Sequence, residues 1–440
     1  MIYIIGNKNL EEFLYIMLKN ILFALLFIVA MFSCSDEEID RYYGDTLIQD
    51  LPGKTHVPDD AFEKYLIDYG YDDEMDNYVF TDNIKNIKEL DLIWKYGREK
   101  IKDLTGIQNF KQLEVLYCHQ NELKFIDLNS NRKLKTLQCG GNLLTSLNFS
   151  HNTNLQFLNC ANNEISVLNL KENYSLITLD CHDNNLKELD VSKKPELIYL
   201  SIGKNKLTNI DITKNPDLRS LYCDENELSE LDISENQNLK NLSCNKNNLS
   251  HIDVSKHALL RLLYCSDNNL NSLDVTKNVN LTHLGFGGNQ IAEIDISNNK
   301  KLWGIFCSNG ILTTLDLSEN VNLEFLYCGN NLFESLDLSK NTMLTYLICK
   351  GNLLKELDIT NNLLLNQMDC SQNQLNSLNI SNNIHLGDST HDRYESHLNV
   401  SRMPSLEEIC VWEMPFPPSD LIIDLSESSN AFFTVNCAEK

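Results

Sequence analysis

Positive charge is scarce in this 440-residue chain: 37 Lys and Arg stand against 62 Asp and Glu, a formal net charge of −25. Binding nucleic acid through its phosphates requires a basic stripe, so the balance argues against such a partner. It suits a soluble surface protein that must avoid nonspecific association. Catalytic signatures are missing as well. There is no Gly-rich phosphate loop, no His-Glu-x-x-His helix and no nucleophile elbow. His119, His182 and His283 sit at variable positions with no fixed chemical neighbours. The sequence therefore predicts a protein that is not an enzyme and needs no cofactor. A comfortable membrane-spanning run is also lacking, because the apolar stretch Ile21 to Phe32 falls short of the ~20 residues that a bilayer demands.

That stretch has another use. Lys19 precedes it, Ser33 and Cys34 follow it, and Ser35-Asp36-Glu37-Glu38 comes next. A basic residue, a short apolar core and a small residue before a cut make a secretory signal. The Cys at its end resembles the lipobox of bacterial lipoproteins, in which that residue is acylated and becomes the new N-terminus. Met31 departs from the Leu usual there. The acidic run after Cys34 is similar to the surface-export signal of Bacteroidetes lipoproteins. Met17 opens a signal of normal length, so residues 1–16 are read as lying before the true start. The alternative is an ordinary signal peptide with a chance Cys.

The main feature is internal repetition. The unit beginning Leu113-Glu114-Val115-Leu116-Tyr117-Cys118 is 21 residues long, and its leading Leu returns in strict phase from Leu134 to Leu386. Thirteen units, 113–385, follow one another without insertion. The consensus LxxLxCxxNxLxxLDLSxN resembles the leucine-rich repeat, in its short bacterial class with two similar half-units per turn. Ala61 to Asp68 and Ile101 to Ile107 also look like the lead-in of Bacteroidetes members. The resemblance implies a leucine-rich-repeat solenoid: parallel β-strands stacked along a curved right-handed coil, with two short extended segments per turn. It also implies a recognition or adhesion role at the cell surface. The residues support the strands directly, since Leu116 and Cys118 alternate with Val115, Tyr117 and His119. Ile126 and Leu128 flank Asp127 in the same way. One coil cannot bury its apolar face alone, whereas a stack can.

Three ladders run along the stack. Cys occupies the sixth position from Cys118 to Cys370, but Ile202 and Phe286 fill it in two units. A site that accepts any apolar group is a packing site, which favours buried thiols over disulfides or metal ligands. Asn occupies the ninth position from Asn121 to Asn373, with Gly310 the exception. An inward amide there can bond backbone groups of its own and the next coil. Asp runs unbroken from Asp190 to Asp358, replaced elsewhere by Asn148, Asn169 and Asn379. Such carboxylates either close local Asx turns or, bridging coils, bind calcium. A second weak calcium candidate is Asp72, Glu74 and Asp76 in the lead-in, where Asn77 replaces the turn Gly and Asn83 the bidentate Glu.

A ligand would meet the outward strand positions, expected on the concave side. They carry Tyr117, Phe157, Tyr199, Tyr222, Tyr264, Phe306, Phe325, Tyr327 and Tyr346, with Trp303 and His283 nearby. Tyr264, Trp303, Phe306, Phe325, Tyr327 and Tyr346 are the candidate binding residues. Aromatics are anchors at protein interfaces and also stack on sugar rings, so the partner is an extracellular protein or, alternatively, a glycan captured for uptake.

The organisation read from the sequence is a signal with lipidated Cys34 over 1–34 and a tether over 35–54. An N-terminal cap with irregular first coils covers 55–112, with a short helix near Asp60 to Asp68. Thirteen repeats cover 113–385, and a degenerate repeat with a C-terminal cap covers 386–440. Gly387 to His397 interrupts the register, and Leu398-Asn399-Val400-Ser401 restarts it one residue early. Leu421 to Leu425 and Ala431 to Val435 are read as paired terminal strands, with a cap disulfide between Cys410 and Cys437. The expected address is the outer membrane, through the lipid, facing outward. Cys34→Ala should release the protein from membranes or block its processing. Unchanged membrane fractionation, with no lipid on Cys34 by mass spectrometry, would refute the anchor.

Overall fold

An apolar residue at the fourth position of each unit, Leu in all but Ile305 and Met368, is buried between two outward neighbours, and this alternation extends three residues of every coil into a strand. In the computed structural model, which describes residues 51–387, 397–418 and 421–437, these strands form one 16-stranded parallel sheet. Cys34 and most of the tether lie outside the described residues. The sheet runs from Glu89–Asp91 to Ile423–Asp424. Leu116 pairs with Leu137, Leu137 with Leu158, and so on at the repeat spacing. The core stacks buried rows from the first, fourth and eleventh positions, such as Leu113, Leu116 and Leu123, with Cys118 to Cys370 beside them, and all eleven ladder thiols are free and buried. Burial pushes the thiols up, to about 12 at Cys118, Cys265 and Cys307, so they stay protonated and apolar.

The second half-unit is less regular than the strand alternation suggested. Among the described residues only Ser146–Asn148 and Val167–Asn169 pair with each other there, and Ser377–Asn379 heads a three-stranded sheet at the C-terminal end. Elsewhere the chain turns instead. Asp232 Oδ1 accepts the Ser234 N–H at 2.9 Å, and Asp274 accepts both the N–H and the hydroxyl of Thr276 at 2.9 and 2.7 Å. Asn148, Asn169 and Asn379 accept in the same way. These bonds hold carboxyls such as Asp274 below the usual range, so the Asp ladder closes turns. Among the described residues no three His, Cys, Asp or Glu side chains are grouped to hold a metal ion. In the lead-in, Asp76 is engaged by Lys54 and the Tyr78 N–H, both at 2.8 Å, and Glu63 is buried beneath the Asp76 N–H. Asp72, Glu74 and Asp76 all act on the Lys54 ammonium, which Asp76 bonds directly.

The ninth-position amide reaches backward, not to the next coil as expected. Asn142 Nδ2 donates to Cys139 O of its own coil and Cys118 O of the preceding one, and its Oδ1 accepts the Leu123 N–H at 3.0 Å. A second buried Asn row, given no role in the sequence reading, occupies the nineteenth position from Asn131 to Asn383. Asn236 is typical: Nδ2 donates to Ile212 O and Asn215 O of the preceding turn at 3.0 and 2.8 Å. Its Oδ1 has no partner among the described residues, so the amide serves as a donor only. The two exceptions in this row, Lys194 and His257, are also N–H donors and equally buried.

The ends are capped differently. The helix Asp60–Asp68 starts at Asp59, whose carboxylate accepts the Phe62 N–H and also the Lys102 and Asp103 N–H groups. It buries Phe62 against Phe110, ring centroids 6.2 Å apart, and so closes the first coil. At the other end Leu398 does not begin a unit: it pairs with Met368 and takes the fourth position. The two terminal segments do not pair with each other. Ile423–Asp424 extends the main sheet beside Leu398–Asn399, while Phe432–Thr434 joins Glu408–Cys410 in the three-stranded sheet. Each sheet needs its own last strand, because the coil continues past the interruption on both sides. Cys410 is disulfide-bonded to Cys437 within this end.

The donor-only reading of the second Asn row makes a specific prediction. Asn236→Asp aims acceptor oxygens at two carbonyl oxygens in a water-free site, and should cost about 3 kcal/mol or more. Asn236→His keeps a donor and should cost much less. Denaturant unfolding of both variants checks it; equal loss in the two would show that only shape matters there.

Candidate functional site

The third and fifth positions of each unit point away from the core, and the second position lies at their edge. In the first units they carry polar groups such as Thr136, Gln138, Asn159 and Asp180. From Tyr264 onward they carry rings in two parallel files. One file joins Tyr264 to Phe306 and Phe306 to Tyr327, centroids 5.9 and 5.1 Å apart. The other joins His283, Trp303, Phe325 and Tyr346 at 5.0, 4.7 and 4.8 Å. All six candidate residues thus belong to one contiguous surface. The rings are less exposed than isolated outward side chains would be, because each covers its neighbour: only Trp303, at 38%, counts among the exposed ones.

Two glycines seat these files, a signal the sequence reading passed over. A Cβ on Gly285 would lie 2.4 Å from Tyr264 Cδ1, and one on Gly304 would lie 3.0 Å from Phe306 Cε2. Gly within a strand marks such a close approach. It lets Tyr264 lie across the vacant position toward Phe306. Burial among the rings pushes the Tyr264 hydroxyl up and the His283 imidazole down, which favours the neutral form of both. The rings themselves are therefore uncharged at neutral pH.

Other aromatics are not part of it. Tyr199 and Tyr222 form a separate pair at 5.7 Å, and among the described residues Tyr117 and Phe157 make no ring contact. The rim before the strands adds to the ring surface. There Leu259, Val279, Val321, Met343 and Leu363 are all 44–50% exposed. Arg132, Lys133, Pro195 and Glu196 occupy the corresponding turns of earlier units. The apolar surface thus lies mainly in the second half of the solenoid, while in an earlier unit Tyr174 at the same turn is 46% exposed.

Comparison with known proteins places this geometry. The solved functional domain of InlJ from Listeria monocytogenes, described as including a cysteine ladder, is 30% identical, with a TM-score of 0.72; the match covers 81% of this chain and 77% of that one. The chain belongs to the leucine-rich-repeat family, among the relatives of the bacterial internalins. A leucine-rich-repeat protein of Leptospira interrogans shares the fold at 21% identity and a TM-score of 0.63, over 78% of this chain and 97% of that one. YopM, a leucine-rich effector of Yersinia pestis, does so at 22% and 0.59, over 79% and 90%. No family model and no curated protein matches the chain. The cysteine ladder it has in common with InlJ is the packing row of the core, not the site.

Gly285→Ala tests the seating of the rings. The new methyl must push Tyr264 aside while the backbone stays unstrained, so near-ultraviolet circular dichroism should change and the far-ultraviolet spectrum should not. The cost should be about 1 kcal/mol, the size of one lost ring contact. An unchanged near-ultraviolet spectrum would mean that Tyr264 does not lie over Gly285.

Proposed function

We propose that the protein is a surface-anchored recognition module that binds an extracellular protein on the open face of the main sheet. The observation that carries this reading is the pair of ring files lying outside a core that is already closed. Leu302, Ile305, Cys307, Leu323, Leu326 and Cys328 fill the interior of the same units. The rings are not needed there, and a dense apolar patch on a soluble solenoid lowers solubility unless a partner covers it. Aromatic anchors at the centre of an interface, with aliphatic groups around them, are the usual makeup of a protein-binding hot spot. Cys34 would supply the anchor through its lipid, and the tether would carry the solenoid clear of the membrane.

The test is the pair Phe306→Ala and Tyr327→Ala, each measured for thermal stability and for ligand capture from extracts of the native environment, with a glycan array beside it. Loss of one true anchor should weaken protein capture by at least about 2 kcal/mol, roughly 30-fold, with little change in melting temperature. A large drop in stability would make the rings part of the core. Capture unchanged at full stability would move the site elsewhere. Binding only on the glycan array would favour carbohydrate capture.

A further inference from the structure

The second position of the units, one residue before each strand, draws a line along the edge of the open face. Through five successive units it reads Arg219, Lys240, Arg261, Thr282 and Trp303. Main-chain bonds of 2.8 Å tie each of these residues to the one before it: Lys240 N–H to Arg219 O, Arg261 N–H to Lys240 O, Thr282 N–H to Arg261 O and Trp303 N–H to Thr282 O. Three cations are thereby held about 4.8 Å apart at the backbone, in line with an indole of the ring files.

Like charges on adjacent strands repel. Some cations elsewhere pair with a carboxylate of the neighbouring coil: Lys135 reaches Glu114 at 2.7 Å and Lys246 reaches Glu225 at 3.2 Å. Among the described residues Arg219, Lys240 and Arg261 have neither an ion pair nor a side-chain hydrogen bond. Acidic residues are not in short supply, since the chain carries a formal charge of −25. The row is left unneutralised in a molecule with abundant carboxylates, directly beside the apolar surface.

Resting on the reading of the ring files as a protein-binding face, we propose that the partner docks through an acidic segment that lies over Arg219, Lys240 and Arg261 and runs on into apolar residues seated against the rings. Four unit steps separate Arg219 from Trp303, roughly 19 Å, which an extended peptide of about six residues spans. A polypeptide suits the row better than an anionic glycan. Leu259 and Val279 are exposed on the adjoining rim and Leu262 faces outward in the strand after Arg261, and these aliphatic groups offer sugar hydroxyls no hydrogen-bond partner.

The test uses the full chain and two labelled 12-residue peptides. One has three Glu in its first half and three Leu or Phe in its second; the other has Gln in place of Glu. Heparin serves as an anionic glycan. The Glu peptide should bind about 10-fold tighter than the Gln peptide at low salt, the sum of three exposed ion pairs, and the difference should shrink as salt rises. The triple variant Arg219→Glu, Lys240→Glu, Arg261→Glu should erase the preference while leaving the Gln peptide's affinity and the melting temperature unchanged. Equal binding of the two peptides to the native protein, or a preference that survives the triple variant, overturns the acidic-segment inference. So does heparin binding that depends on the row without any preference for the Glu peptide, or failure of all three probes to bind. Gln-peptide binding that persists in Phe306→Ala and Tyr327→Ala would count against the ring reading instead, so the two failures are distinguishable.

Discussion

A coil this tight leaves main-chain carbonyls at its corners, out of reach of water, and the structure depends on how they are met. Two rows of asparagine meet them. The ninth-position amide both donates and accepts, stitching its own turn to the one before. The nineteenth-position amide only donates, across the opposite corner. Buried backbone groups without partners are costly, so the ninth-position corner fixes its residue type more tightly than the sixth-position packing site does. The sixth position admits Cys, Ile or Phe, whereas the ninth is Asn in all units but the one with Gly310.

With the corners satisfied by side chains, the strands need to supply little more than one buried leucine each. Their outward positions are released from structural duty. That freedom explains why the open face changes character along the solenoid, from amides and hydroxyls in the first units to rings in the later ones, without any change in backbone register. The ring files take advantage of it through two glycines that give up their own side chains to seat a neighbour's.

Much of this was legible in the sequence because the repeat is strict. Period, strand positions, the buried cysteines and the helix over Asp60–Asp68 all follow from spacing and alternation. The candidate rings were also identifiable, since their units already hold a full set of core residues. What spacing could not convey was direction and packing between side chains. The ninth-position amide bonds backward, the second Asn row bonds at all, and Tyr264 reaches Phe306 over Gly285, each depending on three-dimensional placement rather than on period. The C-terminal end was misread for a related reason. Once the repeat is interrupted, phase no longer says which segment lies beside which, and Ile423–Asp424 and Phe432–Thr434 went to different sheets.

Strict register also turns the solenoid into a ruler. Every unit from Leu113 presents the same two surfaces to its neighbours, so a block of 21 residues can in principle be copied or removed without mismatching an interface. Such an event would leave the corners and the core unchanged, yet it would slide everything beyond it by one strand spacing. The unit from Leu281 stands between Arg261 and Trp303 and is the graduation that sets the distance from charge to rings. Unequal recombination within the gene would thus retune what the face measures in whole steps, faster than point substitution could redesign it.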